Sequence, residues 1–126
     1  MQSGFIKSRV AAGAIAPWSI AAFTGNRNEV AQAAGSSTGL AGITDYLGIG
    51  STESDRMVDL QLTEVADVQA GGTIAAGDPV TSDANGKAIK ALRVPDAEVF
   101  CIGIAQGPAV AGDVFGVLVS PFVITG

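Results

Sequence analysis

The chain has no histidine. That absence removes Ser-His-Asp and Cys-His catalysis, along with the commonest metal-ligating side chain. Cysteine is nearly absent too. Cys101 stands alone, so no disulfide can form within the chain. It lies in the apolar run Val99-Phe100-Cys101-Ile102-Gly103-Ile104 with no cation beside it, and reads as a buried structural thiol. A free thiol without disulfides suits assembly in a reducing cytoplasm. Basic residues are scarce: seven Lys and Arg stand against twelve Asp and Glu, giving a net charge of −5. Phosphate contacts need clustered cations, so no nucleic-acid partner is expected. Lys87, Lys90 and Arg93 sit close together, but they read as a solvated strand face. Aromatics make up 6% of the chain, which weighs against a sugar site built on stacked rings and points to a thin core of small layers. No run approaches the ~20 apolar residues of a membrane span, and no basic amphipathic stretch suggests a membrane surface. Lys7 and Arg9 ahead of VAAGAIA, with Ala14-Ile15-Ala16, mimic a signal peptide. The run is mostly Ala and Gly, and Pro17 follows the supposed cut, so we do not read it as one.

Turn chemistry is abundant. Ala70 to Ala91, AGGTIAAGDPVTSDANGKAIKA, is two short strands joined by tight turns. Gly77-Asp78-Pro79 and Asp83-Ala84-Asn85-Gly86 supply residues that tolerate positive φ or pre-set it, and Asn-Gly is a strong hairpin signal. Val80, then Ala88, Ile89 and Ala91, carry strand spacing around the hairpin. Leu40 to Thr44 is a further strand candidate. Met57 to Val65 alternates, with Val58, Leu60 and Leu62 facing one way and Asp59, Gln61 and Thr63 the other, and so predicts one half-buried strand. Val99 to Ile104 and Val114 to Val119 are apolar runs that suit central strands. Gly13 and Pro17 argue against helix over residues 10 to 23. Strands at this spacing, separated by turns, predict an all-β fold: a small barrel or sandwich of short strands.

A faint internal duplication runs through the chain. Ile15 matches Ile74 at an offset of 59, and the same offset pairs Asn26 with Asn85 and Val30 with Ile89. Gly42-Ile43 matches Gly103-Ile104 at 61, and Asp55 matches Asp113 at 58. The pattern implies two related β-units packed about a pseudo-two-fold axis, neither burying its apolar face alone.

The chemistry of sites is missing. Gly48-Ile49-Gly50 lacks the third glycine and the βαβ context of a dinucleotide loop. Asp45, Glu53, Asp55 and Asp59 are the densest carboxylates, but they follow no calcium-loop spacing and read as a solvated loop. Asp78, Asp83, Asp96 and Asp113 sit in turns, where short acceptors bond nearby backbone N–H groups. We therefore expect no catalytic, cofactor-binding or metal-binding residues. Trp18, with Pro17 and Phe23, reads either as core or as an exposed sticky patch. Residues 1 to 9 read either as a disordered terminus or as an arm anchored through Phe5 and Ile6.

The run GGTIAAGDPVTSDANGKAIKA, then Ile102-Gly103-Ile104-Ala105 and Ala111-Gly112-Asp113 before an apolar strand, resembles the capsid cement, or head decoration, proteins of tailed bacteriophages. Gly42-Ile43-Thr44-Asp45 and Val65 fall where that family has similar segments, so the resemblance covers roughly residues 40 to 120. It implies a non-enzymatic virion protein on the outer capsid surface, made in the host bacterial cytoplasm. The implied partners are the major capsid protein and further copies of itself, as homotrimers at three-fold and quasi-three-fold positions. It also implies an extended N-terminal arm (residues 1–10) ahead of a single β-rich domain (residues 11–126). Phe5, Ile6, Lys7, Arg9 and Trp18 are the candidate partner contacts. The alternative assignment is another virion component, such as a head-tail or tail-tube protein.

Overall fold

The computed structural model describes residues 6–44 and 57–125. Its regular elements are ten β-strands: β1 (Ile6–Ala11), β2 (Ile20–Phe23), β3 (Glu29–Gln32), β4 (Leu40–Thr44), β5 (Met57–Gln61), β6 (Val65–Gln69), β7 (Pro79–Ser82), β8 (Ala88–Lys90), β9 (Glu98–Ala105) and β10 (Val114–Thr125). The all-β expectation holds. The first five strands form a ring in the order β1-β3-β2-β4-β5, closed by β1 against β5. The last five form a sheet in the order β6-β10-β9-β7-β8. One parallel bridge, Ala70 to Ala88, joins its two edges.

The two halves share one pairing plan. Ile6 pairs with Gln61 as Val65 pairs with Leu118. Ile43 pairs with Gln61 as Ile104 pairs with Leu118. Ala21 faces Gly42 as Val80 faces Gly103. Phe23 faces Val30 as Ser82 faces Ala88, and Ala11 faces Val30 as Ala70 faces Ala88. Bonds outside the ladders repeat as well. Thr44 N donates to Ser19 O at 2.9 Å and Ala105 N to Asp78 O at 2.9 Å. Ala33 N donates to Ile20 O, and Ala91 N to Pro79 O. The duplication is thus real in three dimensions, and the Gly-Ile match at 61 is structurally correct. The hairpin matches shift by one residue: Val30 corresponds to Ala88, and Asn28 to Gly86. The first hairpin loop is one residue longer, which sequence comparison at a fixed offset cannot see.

The interiors repeat too. Ala11, Ile15, Ala21, Val30, Ala41 and Leu60 form a buried cluster inside the first ring. Their counterparts Ala70, Ile74, Val80, Ala88, Ile102 and Val117 are all buried in the second half. Ala21 and Val30 become Val80 and Ala88, a trade of one large and one small side chain that conserves volume. The second core also takes in Ile20, Ala22, Ala33, Leu40 and Ile43 of the first half. Ile20 and Ala22 flank Ala21, so they stand on the outer face of β2. Each unit therefore relies on the other for burial.

Matching glycines hold the strands close. A Cβ on Gly42 would stand 2.9 Å from the Gln61 carbonyl oxygen, and one on Gly103 would overlap the carbonyl of Leu118. Gln61 and Leu118 are themselves counterparts, so the same close approach is made twice.

Four sequence expectations need correction. Met57 to Val65 is two strands, because the chain turns at Glu64, whose φ is +61°. Gln61 does not face solvent. It is 1% exposed, and its Nε2 donates to the carbonyls of Thr63 and Val65 at 2.9 Å, tying β5 to β6. Residues 6–10, expected in the arm, are part of β1, while residues 1–5 lie outside the described residues. The expected two-fold packing is also absent from the junction bonds. Ile20 N donates to Gly86 O at 2.8 Å. The reciprocal bond would need an N–H on Pro79, and proline has none. Gln69 N donates to Trp18 O across the junction, whereas its counterpart Val10 donates to Asn28 within its own unit.

Candidate interaction surface

Three of the four turn aspartates, Asp78, Asp83 and Asp113, do what their spacing predicts. Asp78 Oδ2 accepts from Ala75 N at 2.8 Å, and Asp113 Oδ2 from Val110 N at 3.0 Å. Asp83 Oδ1 accepts from Asn85 N and Lys87 N. The two Gly-Asp turns face each other through reciprocal Ile74–Ala109 backbone bonds of 2.9 Å. Gly77 and Gly112 there have φ of +87° and +94°. Trp18 occupies the position of Gly77 in the first unit and keeps its positive φ of +49°, a strained conformation for a bulky residue.

Among the described residues, no three His, Cys, Asp or Glu side chains gather as metal ligands. Cys101 is buried, and burial pushes its thiol pKa up. The carboxylates of the Gly48–Asp55 loop lie outside the described residues. What the structure offers is surface.

Of the five candidate contact residues, Phe5 is outside the described residues, and Ile6 and Lys7 are placed only as backbone in β1. Arg9 is half-buried. Its guanidinium lies 5.4 Å from the centroid of the Phe23 ring, close enough for a cation–π contact. Its Nη1 donates to Asn28 Oδ1 at 3.4 Å. Trp18 is half-buried at the junction of the units, its carbonyl accepting from Gln69 N. The hairpin beside Arg9 is ordered by its own side chains. Asn26 Nδ2 and Thr24 Oγ1 each donate to Glu29 Oε1 at 2.8 Å. Asn26 first and Thr24 second hold the Glu29 carboxyl below its ordinary range. Sequence reasoning placed Phe23 beside Trp18. The structure places it instead under Arg9, as one of several exposed apolar residues that include Leu92, Val94 and Val110. For Phe23 this settles the choice between core and exposed patch; the exposure of Leu92, Val94 and Val110 carries no signal in the sequence.

The described residues thus form a closed five-stranded ring joined to a five-stranded sheet, with turn-locking carboxylates and exposed apolar side chains. The family model for phage cement proteins matches residues 16–120, and the chain belongs to that family. No curated protein matches. Among solved structures, the head fiber gp8.5 N base of bacteriophage phi29 is similar in fold, with a TM-score of 0.62 and 19% identity over 92% of this chain and 93% of that one. The family carries a capsid decoration role.

Proposed function

We propose that the chain is a non-enzymatic cement protein of the outer capsid surface. It binds the major capsid protein on the expanded head and stabilises the shell, as homotrimers at three-fold and quasi-three-fold positions. The observation that carries the reading is the family match across residues 16–120. The joined ring and sheet support it physically: a rigid body that presents several weak contacts at once gains affinity from multivalency. Arg9 stacked on Phe23, together with Trp18, supplies rigid aromatic and guanidinium groups of the kind that anchor interfaces. Synthesis in the bacterial cytoplasm fits the lone buried thiol.

The test is reconstitution. Purified chain is added to expanded heads assembled without it. The expected result is saturable binding over the whole shell and slower disruption of decorated heads on heating. Binding confined to the tail vertex, or none, overturns the reading.

A further inference from the structure

The junction between the units is head-to-tail. The second hairpin, around Gly86 and Lys87, docks on the start of β2: Ile20 N donates to Gly86 O, and Lys87 Nζ to Ser19 Oγ at 3.1 Å. Ser36, in the loop after β3, accepts from Phe100 N of the second unit. A contact of this kind uses one face of each unit and leaves the other face of each unused. The first unit's own hairpin, residues 23–28, is exposed throughout. The second unit's loop after β8, residues 92–97, is exposed throughout as well.

These open ends carry larger apolar side chains than their counterparts. Phe23 is 49% exposed where the second unit has Ser82, 2% exposed. After the shared anchor residues Ala33 and Ala91, the first unit continues Ala34-Gly35-Ser36 and the second Leu92-Arg93-Val94. Leu92 is 65% exposed and Val94 48%. A solvent-facing copy of a duplicated surface should be the more polar one; at Phe23 against Ser82 the order is reversed, and Leu92 is far larger than its exposed counterpart Ala34.

We propose that the hairpin end of one copy, centred on Phe23, packs against the Leu92–Val94 loop of a second copy, repeating between molecules the unit order found within one. The occupant is a second copy because the internal junction already shows one unit seating its hairpin on another of the same fold. Pro79 has no N–H to offer Asn28 as Ile20 offers one to Gly86, so the contact between copies rests on side chains rather than the backbone bond. A heterologous contact of this type closes into a ring or runs into a filament. Closure at three copies makes a ring of six β-units. This deepens the self-association in the function proposed above, and its test needs no capsid, so the two can fail separately.

The test compares Phe23→Ser with the double variant Leu92→Ala, Val94→Ser. Each change installs the residue that the other unit carries at or beside that position, at an exposed site. Unchanged circular dichroism and melting establish folding. By sedimentation the parent chain should be a closed oligomer, and each variant alone should dissociate about tenfold or more readily. Mixing the two variants leaves one intact Phe23 end facing one intact Leu92–Val94 end, and should yield a 1:1 heterodimer. As a check that does not depend on weakened association, Phe23→Cys mixed with Leu92→Cys should oxidise to a mixed disulfide in preference to either homodimer. A monomeric parent chain, variants that associate like the parent, or preferential Phe23→Cys homodimers each overturn the proposal.

Discussion

Replacing Gly103 with Ala tests whether the close approach of β9 to β10 is built into the fold. The new Cβ would overlap the carbonyl oxygen and carbon of Leu118, backbone atoms that cannot swing aside. The strands must separate at the point where Gly103 pairs with Val119, just before the β10 register shift. Overpacking of this kind costs about 1–3 kcal/mol, occasionally more. With backbone as the obstacle, Gly103→Ala belongs at the upper end, about 3 kcal/mol. For a chain this size that lowers Tm by roughly 10 °C. Gly42→Ala meets the Gln61 oxygen at 2.9 Å and two flanking leucine side-chain atoms at 3.0 Å, so it should cost less, about 1–2 kcal/mol. Gly107 has nothing within 4 Å of its would-be Cβ and no positive φ. Its alanine variant should be neutral, or stabilising by up to about 1 kcal/mol through the unfolded chain. Calorimetric melting of the three variants gives the order directly. A Gly103→Ala protein that melts with the parent, or below Gly107→Ala by no more than Gly42→Ala does, refutes the reasoning.

Other outcomes follow from single side chains. Ser19→Ala removes the buried hydroxyl that accepts from Lys87 Nζ and donates to Pro17 O; it should cost about 1–2 kcal/mol by denaturant melts. Asp113→Ala frees Val110 N at the second Gly-Asp turn, with an expected loss of about 1 kcal/mol. Hydrogen bonds from Asn26 and Thr24 hold the folded pKa of Glu29 below its ordinary value of 4.5. Its carboxylate therefore stabilises the fold above 4.5, and that contribution is lost as pH falls through the folded value. Melting temperature against pH should show this component, and Glu29→Gln should abolish it. Cys101 should resist thiol reagents until the chain unfolds, because its thiol is buried with a raised pKa; rapid labelling of native protein would contradict its placement.

Much of the fold was legible because its signals are local. Gly77-Asp78-Pro79 and the Asn85-Gly86 hairpin declare their turns through backbone chemistry, and Leu40–Thr44 falls where apolar spacing puts it. Gln61 was misread because alternation says only which face a side chain takes. It cannot say that the far face will be closed by the turn at Glu64. β1 was missed because its partners, β5 and β3, are distant in sequence. The partner surface was the least legible part. Arg9 was named as a contact, but the ring it covers, Phe23, became visible only through ring closure.

The duplication explains why so plain a composition specifies a definite body. A five-stranded ring encloses little volume; its buried interior is Ala11, Ala21 and Ala41 with Ile15, Val30 and Leu60. Such a ring buries too little apolar area to offset the entropy of ordering its strands. Joining the second five-stranded sheet lets the outer face of β2, through Ile20 and Ala22, share the second core. A reciprocal junction would have buried matching faces and finished the molecule. The junction observed is one-sided, fixed by Ile20 on one unit and Pro79 on the other, so it stabilises the pair while leaving a hairpin end and a loop end uncovered. In the self-association proposed above, one surface folds the chain, and its unburied counterpart remains for assembly.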